Sequence, residues 1–292
     1  MNPSFYRRTD LAVEENGLSL PIRGVEVKEE TRNSIRITRV EIQTEEGASH
    51  LNRPIGNYIT IEFPAFWKEY EEKDTEDIEN TLCTALTRLL TKDTIPKRIL
   101  VVGLGNRAIT ADAVGPMTAD KIEVTGHYEA EEALRPYLPS CSLYAISPGV
   151  VGNTGIETYK LIKAALAASR ADLIIVVDSL AARSTARLGH CIQLSDSGIT
   201  PGSGIGNHRA TLNRETLGVP VIAIGTPLVV SSSTLVIDAL EEAGIDTLTP
   251  SLLNVLENGK SFFVTLNESD LATAHLSEVI ANAINSFVTN QT

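Results

Sequence analysis

Two short, uninterrupted apolar runs constrain this chain more than anything else in it. One is Ile99-Leu-Val-Val-Gly103 and the other is Leu173-Ile-Ile-Val-Val177. Runs of this length without polar alternation read as strands buried on both faces of a parallel sheet. The first leads into Gly103-Leu-Gly105 and the second into Asp178. Shorter patterns at 34–43, 58–63, 141–147, 189–194, 219–225 and 262–266 read as further strands. Ile78, Leu82, Ala85, Leu86 and Leu89 recur three and four apart, the spacing of an amphipathic helix over 74–91. Segments 112–121, 154–169, 231–243 and 270–287 read as helices too. The first 34 residues show no clear period.

Strands alternating with helices predict the α/β class: a mostly parallel sheet with helices on both faces, in a single domain. In such sheets ligands bind beyond the carboxyl ends of the strands. That rule selects three expected loops: Gly103 to Pro116, Asp178 to Ser184, and Gly225 to Val230. With 292 residues, 42% of them apolar, the chain can bury a sizeable core. Its net charge of −12 repels phosphate backbones and argues against direct nucleic-acid binding. The start, Met1 to Glu15, has no apolar core of signal-peptide length. No stretch approaches the ~18 apolar residues of a membrane span. A soluble intracellular protein without membrane partners is expected. Cys83, Cys141 and Cys191 are too few and too scattered for a disulfide framework and read as buried thiols.

Four segments carry candidate chemistry. Gly103 to Pro116 begins like a nucleotide loop, but G-x-G-x-x-G needs glycine where Ala108 stands, and no Walker lysine follows. Asp112 in that loop reads either as a helix cap acting on the dipole or as a chemical acid. Asp178 closes a doubly buried strand, where a carboxylate is costly unless paired. Arg183 is a candidate structural partner for it. In the other reading Asp178 faces Asp112 across the strand ends. Two carboxylates that close keep one proton between them, so one acts as base on a water while the other donates a proton. That arrangement suits amide hydrolysis. Ser195 to His208, rich in Gly, Ser and Pro, reads as a long loop whose backbone can hold a substrate strand, with Asp196 as a reserve acid. Ser147 to Glu157, with Thr154 as a cap, forms another wall. The five histidines are scattered. H-E-x-x-H, C-x-x-C and G-x-S-x-G are all missing, so neither a metal nor a cofactor is expected.

At six ordered segments the chain resembles the spore germination protease family. They are RTDLAVE at 8–14, VVGLGNRAITADAVGP at 101–116, SPGVVGNTGIET at 147–158, VVDSLAARS at 176–184, QLSDSGITPGSGIGNHR at 193–209 and ETLGVPVIAIGTPLVV at 215–230. The resemblance implies a phosphorylase/hydrolase-like α/β fold. It implies an endopeptidase that degrades small acid-soluble spore proteins, made in the spore core as a homotetrameric zymogen. By motif the family's catalytic aspartates fall on Asp112 and Asp178. Asn106, Arg107, Arg183, Ser184, Gly202 and Gly204 are expected to bind substrate. Family substrates are cut after an acid and before an apolar residue and alanine. Asp10-Leu11-Ala12 fits that pattern, so self-cleavage is expected at Asp10–Leu11, giving a propeptide 1–10 and a protease domain 11–292. The chain departs from the family at Arg107 and Ala111, where an aromatic residue and a proline are usual. It is also shorter after Val230. The alternatives are a hydrogenase-maturation-type protease and a non-catalytic binding module of the same fold.

Overall fold

The computed structural model describes residues 9–14, 22–64, 72–90, 95–202, 210–245, 249–258 and 262–289. The chain runs β1 (Val25–Arg32), β2 (Ile35–Ile42), α1 (Glu45–Leu51), β3 (Gly56–Glu62), α2 (Glu72–Leu89), β4 (Arg98–Gly103), α3 (Val114–Asp120), β5 (Ser142–Ile146) and α4 (Val151–Thr154). It continues α5 (Thr158–Ser169), β6 (Leu173–Ala182), β7 (Cys191–Ser195), α6 (Arg214–Leu217), β8 (Val221–Ser231), α7 (Ser232–Glu242), α8 (Pro250–Asn258), β9 (Phe263–Val264) and α9 (Ser269–Thr289).

The strands form one sheet in the order β1-β2-β3-β7-β8-β6-β4-β5, with β9 beside β8. The α/β class holds, but the sheet is mixed rather than mostly parallel. Among the described residues only β8, β6, β4 and β5 pair in parallel. The pairings from β1 through β3 and β7 to β8, and of β9 with β8, are antiparallel. An apolar run reports burial, not direction, so the sequence pattern overstated the parallel share. β1 went unread because its side chains are almost all exposed and carry no apolar period. It is held by a tight hairpin to β2, with Asn33 at φ 53°, a left-handed conformation that asparagine tolerates.

Helices cover both faces, as the sequence pattern requires. On one face α2, α3 and α9 pack on Ile99, Val101, Ile175, Val177, Ile192 and Ile224. On the other, Ile162 of α5 packs on Leu100, Val102, Ile174 and Val176. The expected helix over 154–169 is broken: α4 ends at Gly155, left-handed at φ 67°, and α5 begins at Thr158. Thr154 therefore caps no helix start; its Oγ1 accepts from Ile156 N at 3.2 Å. Two expected loops are largely strand. Asp178 through Ala182 of β6 pair with Gly225 through Val230 of β8, with a register shift between Leu180 and Ala181.

The junction of α3 with β4 and β6 is unusually close. Gly103 and Gly115 face each other there, and Leu104 N donates to Val177 O at 2.8 Å. A Cβ on Gly115 would stand 2.2 Å from Leu104 O and 2.4 Å from Val177 O. Neither backbone can move without breaking the sheet. Gly115→Ala is expected to destabilise the protein by about 1–3 kcal/mol, read as a lower urea midpoint with unchanged slope. Wild-type stability would refute the tight junction.

Arg98, at the start of β4, clamps the turn after β4 and α3 by donating to both carboxylate oxygens of Glu129, at 2.8 and 3.0 Å. These bonds hold the Glu129 pKa down at about 2. The sign follows from a depressed folded pKa. The contribution is complete above the ordinary value of 4.5 and is lost as pH falls toward about 2. Glu129→Gln should flatten the acid limb of the stability–pH profile over that window by lowering stability modestly at neutral pH, since the pair is partly solvated, while leaving stability near pH 2 unchanged. Unfolding midpoints measured from pH 2 to 7 check this.

Candidate active site

Asp112 and Asp178 reach the same corner of the sheet by different routes. β4 ends at Gly103 beside Val177 of β6, so Leu104 and Gly105 lie alongside Asp178. The chain then curls back through a turn, in which Ile109 N donates to Asn106 O and Asp112 N to Ile109 O. The curl requires Gly105, at φ 116°, where a Cβ would stand 2.0 Å from Asp112 O. It brings the Asp112 carboxylate onto the backbone: Asn106 N donates to Oδ2 at 2.8 Å. The cap of α3 is Ala113, with no side-chain cap bond. Asp112 thus turns onto the loop and does not cap the helix. From the other side, buried Thr273 of α9 donates to Thr110 O at 3.2 Å and buttresses the turn.

Asp178 is 7% exposed and sits within β6, five residues short of Arg183 rather than at the strand's end. Ser179 N donates to its Oδ1 at 2.9 Å. Its row across the sheet is Asp178, Gly225 of β8 and Gln193 of β7. Residues paired across neighbouring strands share a face. Asp178 and Gln193 therefore project from the same face, separated by a residue without a side chain, and Leu180 fills the space over Gly225.

The expected binding residues divide. Asn106 stays at the corner: its Oδ1 accepts from Ala108 N at 3.1 Å and from Asn153 Nδ2 at 3.5 Å, which ties in the 147–157 wall. Arg107 is turned to α3, where its guanidinium bonds Pro116 O and the Asp120 carboxylate. Arg183 and Ser184 face the N-terminal segment: both backbone N–H groups donate to the Glu14 carboxylate, at 2.6 and 3.0 Å, and Arg183 Nη1 donates to Glu14 O. Gly202 lies in a turn just after Pro201. Gly204 and His208 lie outside the described residues. Asp196 is committed to structure, since both its oxygens accept from Asn57, at 2.7 Å each.

The expected cleavage point is docked. Leu11 and Ala12 are fully buried. Asp10 N donates to Ala181 O at 2.8 Å, and Ala181 N donates to Asp10 Oδ2 at 2.9 Å. Gln193 spans the Asp10–Leu11 bond: its Nε2 donates to Asp10 O at 3.0 Å and its Oε1 accepts from Ala12 N at 2.6 Å. Sequence reasoning placed Gln193 in a strand and gave it no role, because a single amide in an apolar strand carries no motif.

Cys141 and Cys191 are the buried thiols expected, whereas Cys83, on α2, is only half-buried. Burial pushes the Cys141 thiol up to about 12 and the Cys191 thiol well above its ordinary value. Among the described residues no group of three or more His, Cys, Asp or Glu is arranged to hold a metal ion. None of the described helices is long and apolar enough to cross a membrane.

The germination protease family model matches residues 7–244. The germination protease of Clostridium tetani is 41% identical over 274 residues, covering 90% of this chain and 81% of that protein. The germination protease of Caldanaerobacter subterraneus is 38% identical over 305 residues, covering 95% and 93%. Among solved structures, a nickel–iron hydrogenase maturation protease from Thermococcus kodakarensis covers 65% of this chain and 93% of that chain. It is 17% identical with a TM-score of 0.35, too low to bear on the fold. The family match runs through the acid corner and the docked N-terminal segment alike, and the chain belongs to the germination protease family, as an endopeptidase.

Proposed function

We propose that this endopeptidase hydrolyses small acid-soluble spore proteins at germination, using Asp112 and Asp178 to activate water. The observation that carries this reading is the convergence of two acid-bearing segments at one strand edge, in a chain of this family. One carboxylate takes a proton from water as its oxygen attacks the carbonyl carbon of the scissile bond. The other carboxyl donates its proton to the departing nitrogen as the carbon–nitrogen bond breaks. Sharing one proton between two nearby acids supplies both states at once. Asn106 N and Ser179 N each hold an oxygen of one acid, so neither must be oriented at the moment of reaction. The α/β frame is of the phosphorylase/hydrolase-like type, and the spore core is the working compartment.

The same reading makes the chain a self-processing zymogen that assembles as a homotetramer, with residues 1–10 as propeptide and 11–292 as protease domain. Support comes from the Asp10-Leu11-Ala12 sequence and from its docking on β6, the strand that carries Asp178. Of the propeptide, Thr9 and Asp10 are among the described residues.

Asp112→Asn and Asp178→Asn are each expected to lower cleavage by about 10²–10⁴-fold while the protein stays folded. A digest of a small acid-soluble spore protein, with fragment masses read out, checks this. Normal turnover by either variant removes that residue from the mechanism, and no cleavage by the processed wild type overturns the proposed substrate. N-terminal sequencing of the processed chain should begin at Leu11, and a start elsewhere ends the propeptide assignment.

A further inference from the structure

The start of the chain beyond the expected cut is built around one buried acid, Glu14, whose carboxylate is bonded on both oxygens. Oε1 accepts from Ser184 N at 3.0 Å and from Arg187 Nη1 at 3.2 Å. Oε2 accepts from Arg183 N at 2.6 Å and from Thr9 Oγ1 at 2.5 Å. A buried carboxylate is tolerated only when its oxygens are satisfied in this way. Arg183, Ser184 and Arg187 follow directly on β6 and stay whatever happens at the N-terminus. Thr9 does not, because it lies on the far side of the Asp10–Leu11 bond. The same hydroxyl serves Leu11. Leu11 N donates to Thr9 Oγ1 at 2.9 Å, so one hydroxyl stands between that nitrogen and Glu14 Oε2. Their closeness does not depend on Thr9. Ala12–Glu14 make a 3₁₀ turn in which Glu14 N donates to Leu11 O at 3.2 Å. A side chain at that position can reach back to the N–H that opens the turn. Leu11 is held in place by its side chain, packed with Leu180, Ala182 and Val230, and Ala12 N by Gln193 Oε1 at 2.6 Å.

We propose that the cut at Asp10–Leu11 creates an internal ion pair, in which the new α-ammonium of Leu11 bonds the Glu14 carboxylate in place of Thr9 Oγ1. Hydrolysis adds one water across the bond. Its oxygen stays on Asp10 as a carboxylate, and both its protons end on the Leu11 nitrogen, which becomes an ammonium. Thr9 departs with Asp10, so Glu14 Oε2 loses a donor just as a charged donor is made one hydroxyl away. A bond between two ions then replaces one between a hydroxyl and an ion. Other charges face the pair. Arg187 is shared between Glu14 Oε1 and Glu62, the Arg183 guanidinium bonds Glu14 O, and Arg53 bonds Thr9 O. These guanidinium groups are engaged with Oε1 and the main chain, whereas Oε2 is the oxygen that takes the Thr9 hydroxyl. Processing thereby fastens Leu11 to the stretch that follows β6, the strand that carries Asp178. The inference rests on the self-cleavage reading and goes beyond it in giving the retained end a partner.

The test uses the self-processed full chain. N-terminal sequencing comes first: a chain that stays uncut, or that starts elsewhere than Leu11, ends the self-cleavage reading and this inference with it. With Leu11 first, competitive acetylation by acetic anhydride from pH 6 to 10, read by mass spectrometry of the N-terminal peptide, gives both the reactivity and the titration of the amine. A synthetic peptide of residues 11–20 is the reference. The amine should react at least about tenfold more slowly than the peptide at every pH, and yet titrate no lower than it. Burial alone slows an amine and lowers its pKa, so the two results together require a facing anion. An amine as reactive as that of the peptide, or a slow one that titrates lower, overturns the inference and leaves self-cleavage standing. In Glu14→Gln the same amine should titrate about one pH unit lower than in wild type. Equal titration in a folded, processed Glu14→Gln chain overturns the inference as well. If Glu14→Gln does not fold or is not cut, the comparison of wild type with the peptide decides alone.

Discussion

The close approach of Gly103 and Gly115 governs everything at the working edge of this protein. Two backbones meet where any Cβ would collide, so α3 is pressed against the ends of β4 and β6. The intervening loop has no room to spread and must fold back on itself through Gly105. That fold-back directs the Asp112 carboxylate to Asn106 N, beside the strand that carries Asp178. Remote acids are brought to one corner by the absence of side chains rather than by any attraction between the acids. Packing at interior density leaves no looser arrangement of the same elements.

Electrostatics then sorts the acidic residues into different tasks. Asp196 is consumed in bonding Asn57 and ties the start of its loop to β3. Glu14 is consumed in fastening the N-terminal segment to the end of β6 and to Arg187, which also bonds Glu62 at 2.9 Å. Burial works against the Arg187 charge, but Glu62 and Glu14 outweigh it and keep its pKa raised. Glu129 is spent on Arg98. Asp112 and Asp178 differ from these in accepting from main chain of their own segments, Asn106 N and Ser179 N.

What the sequence disclosed follows from what periodicity can record. The doubly buried strands β4, β6 and β8 and the helices α2 and α9 were legible because burial imposes an unbroken or a 3–4-spaced apolar pattern. Asp178 stood out because a charge at the end of such a run needs a reason. Strand direction was not, since parallel and antiparallel neighbours bury the same residues. Nor was the extension of β6 past Asp178, whose partner residues Gly225 to Val230 hold a glycine and a proline that read as loop. The role of Gln193 depends on a contact with Ala12, 181 residues away in the chain, and no local pattern encodes a contact of that kind. Leu11 and Ala12 read as a processing site and nothing more; their burial, Leu11 against Leu180, Ala182 and Val230 and Ala12 against Val40, Ile42 and Tyr58, depends on residues distant in the chain.

That burial bears on the order of events at the N-terminus. Withdrawing Leu11 exposes a side chain whose burial is worth about 1.5–3 kcal/mol. Each hydrogen bond lost from Thr9 to Glu14 adds about 0.5–1.5 kcal/mol net. Even if water recovers most of these bonds, release is uphill by on the order of 5 kcal/mol, so about one molecule in several thousand has the segment free. If the cut falls at Asp10–Leu11, the ties of Asp10 to Ala181 and Gln193 no longer belong to the retained chain, while Glu14 still anchors what remains. Severing that one bond then loosens the part of the segment tied through Asp10 without surrendering the part that Leu11 and Glu14 hold in place.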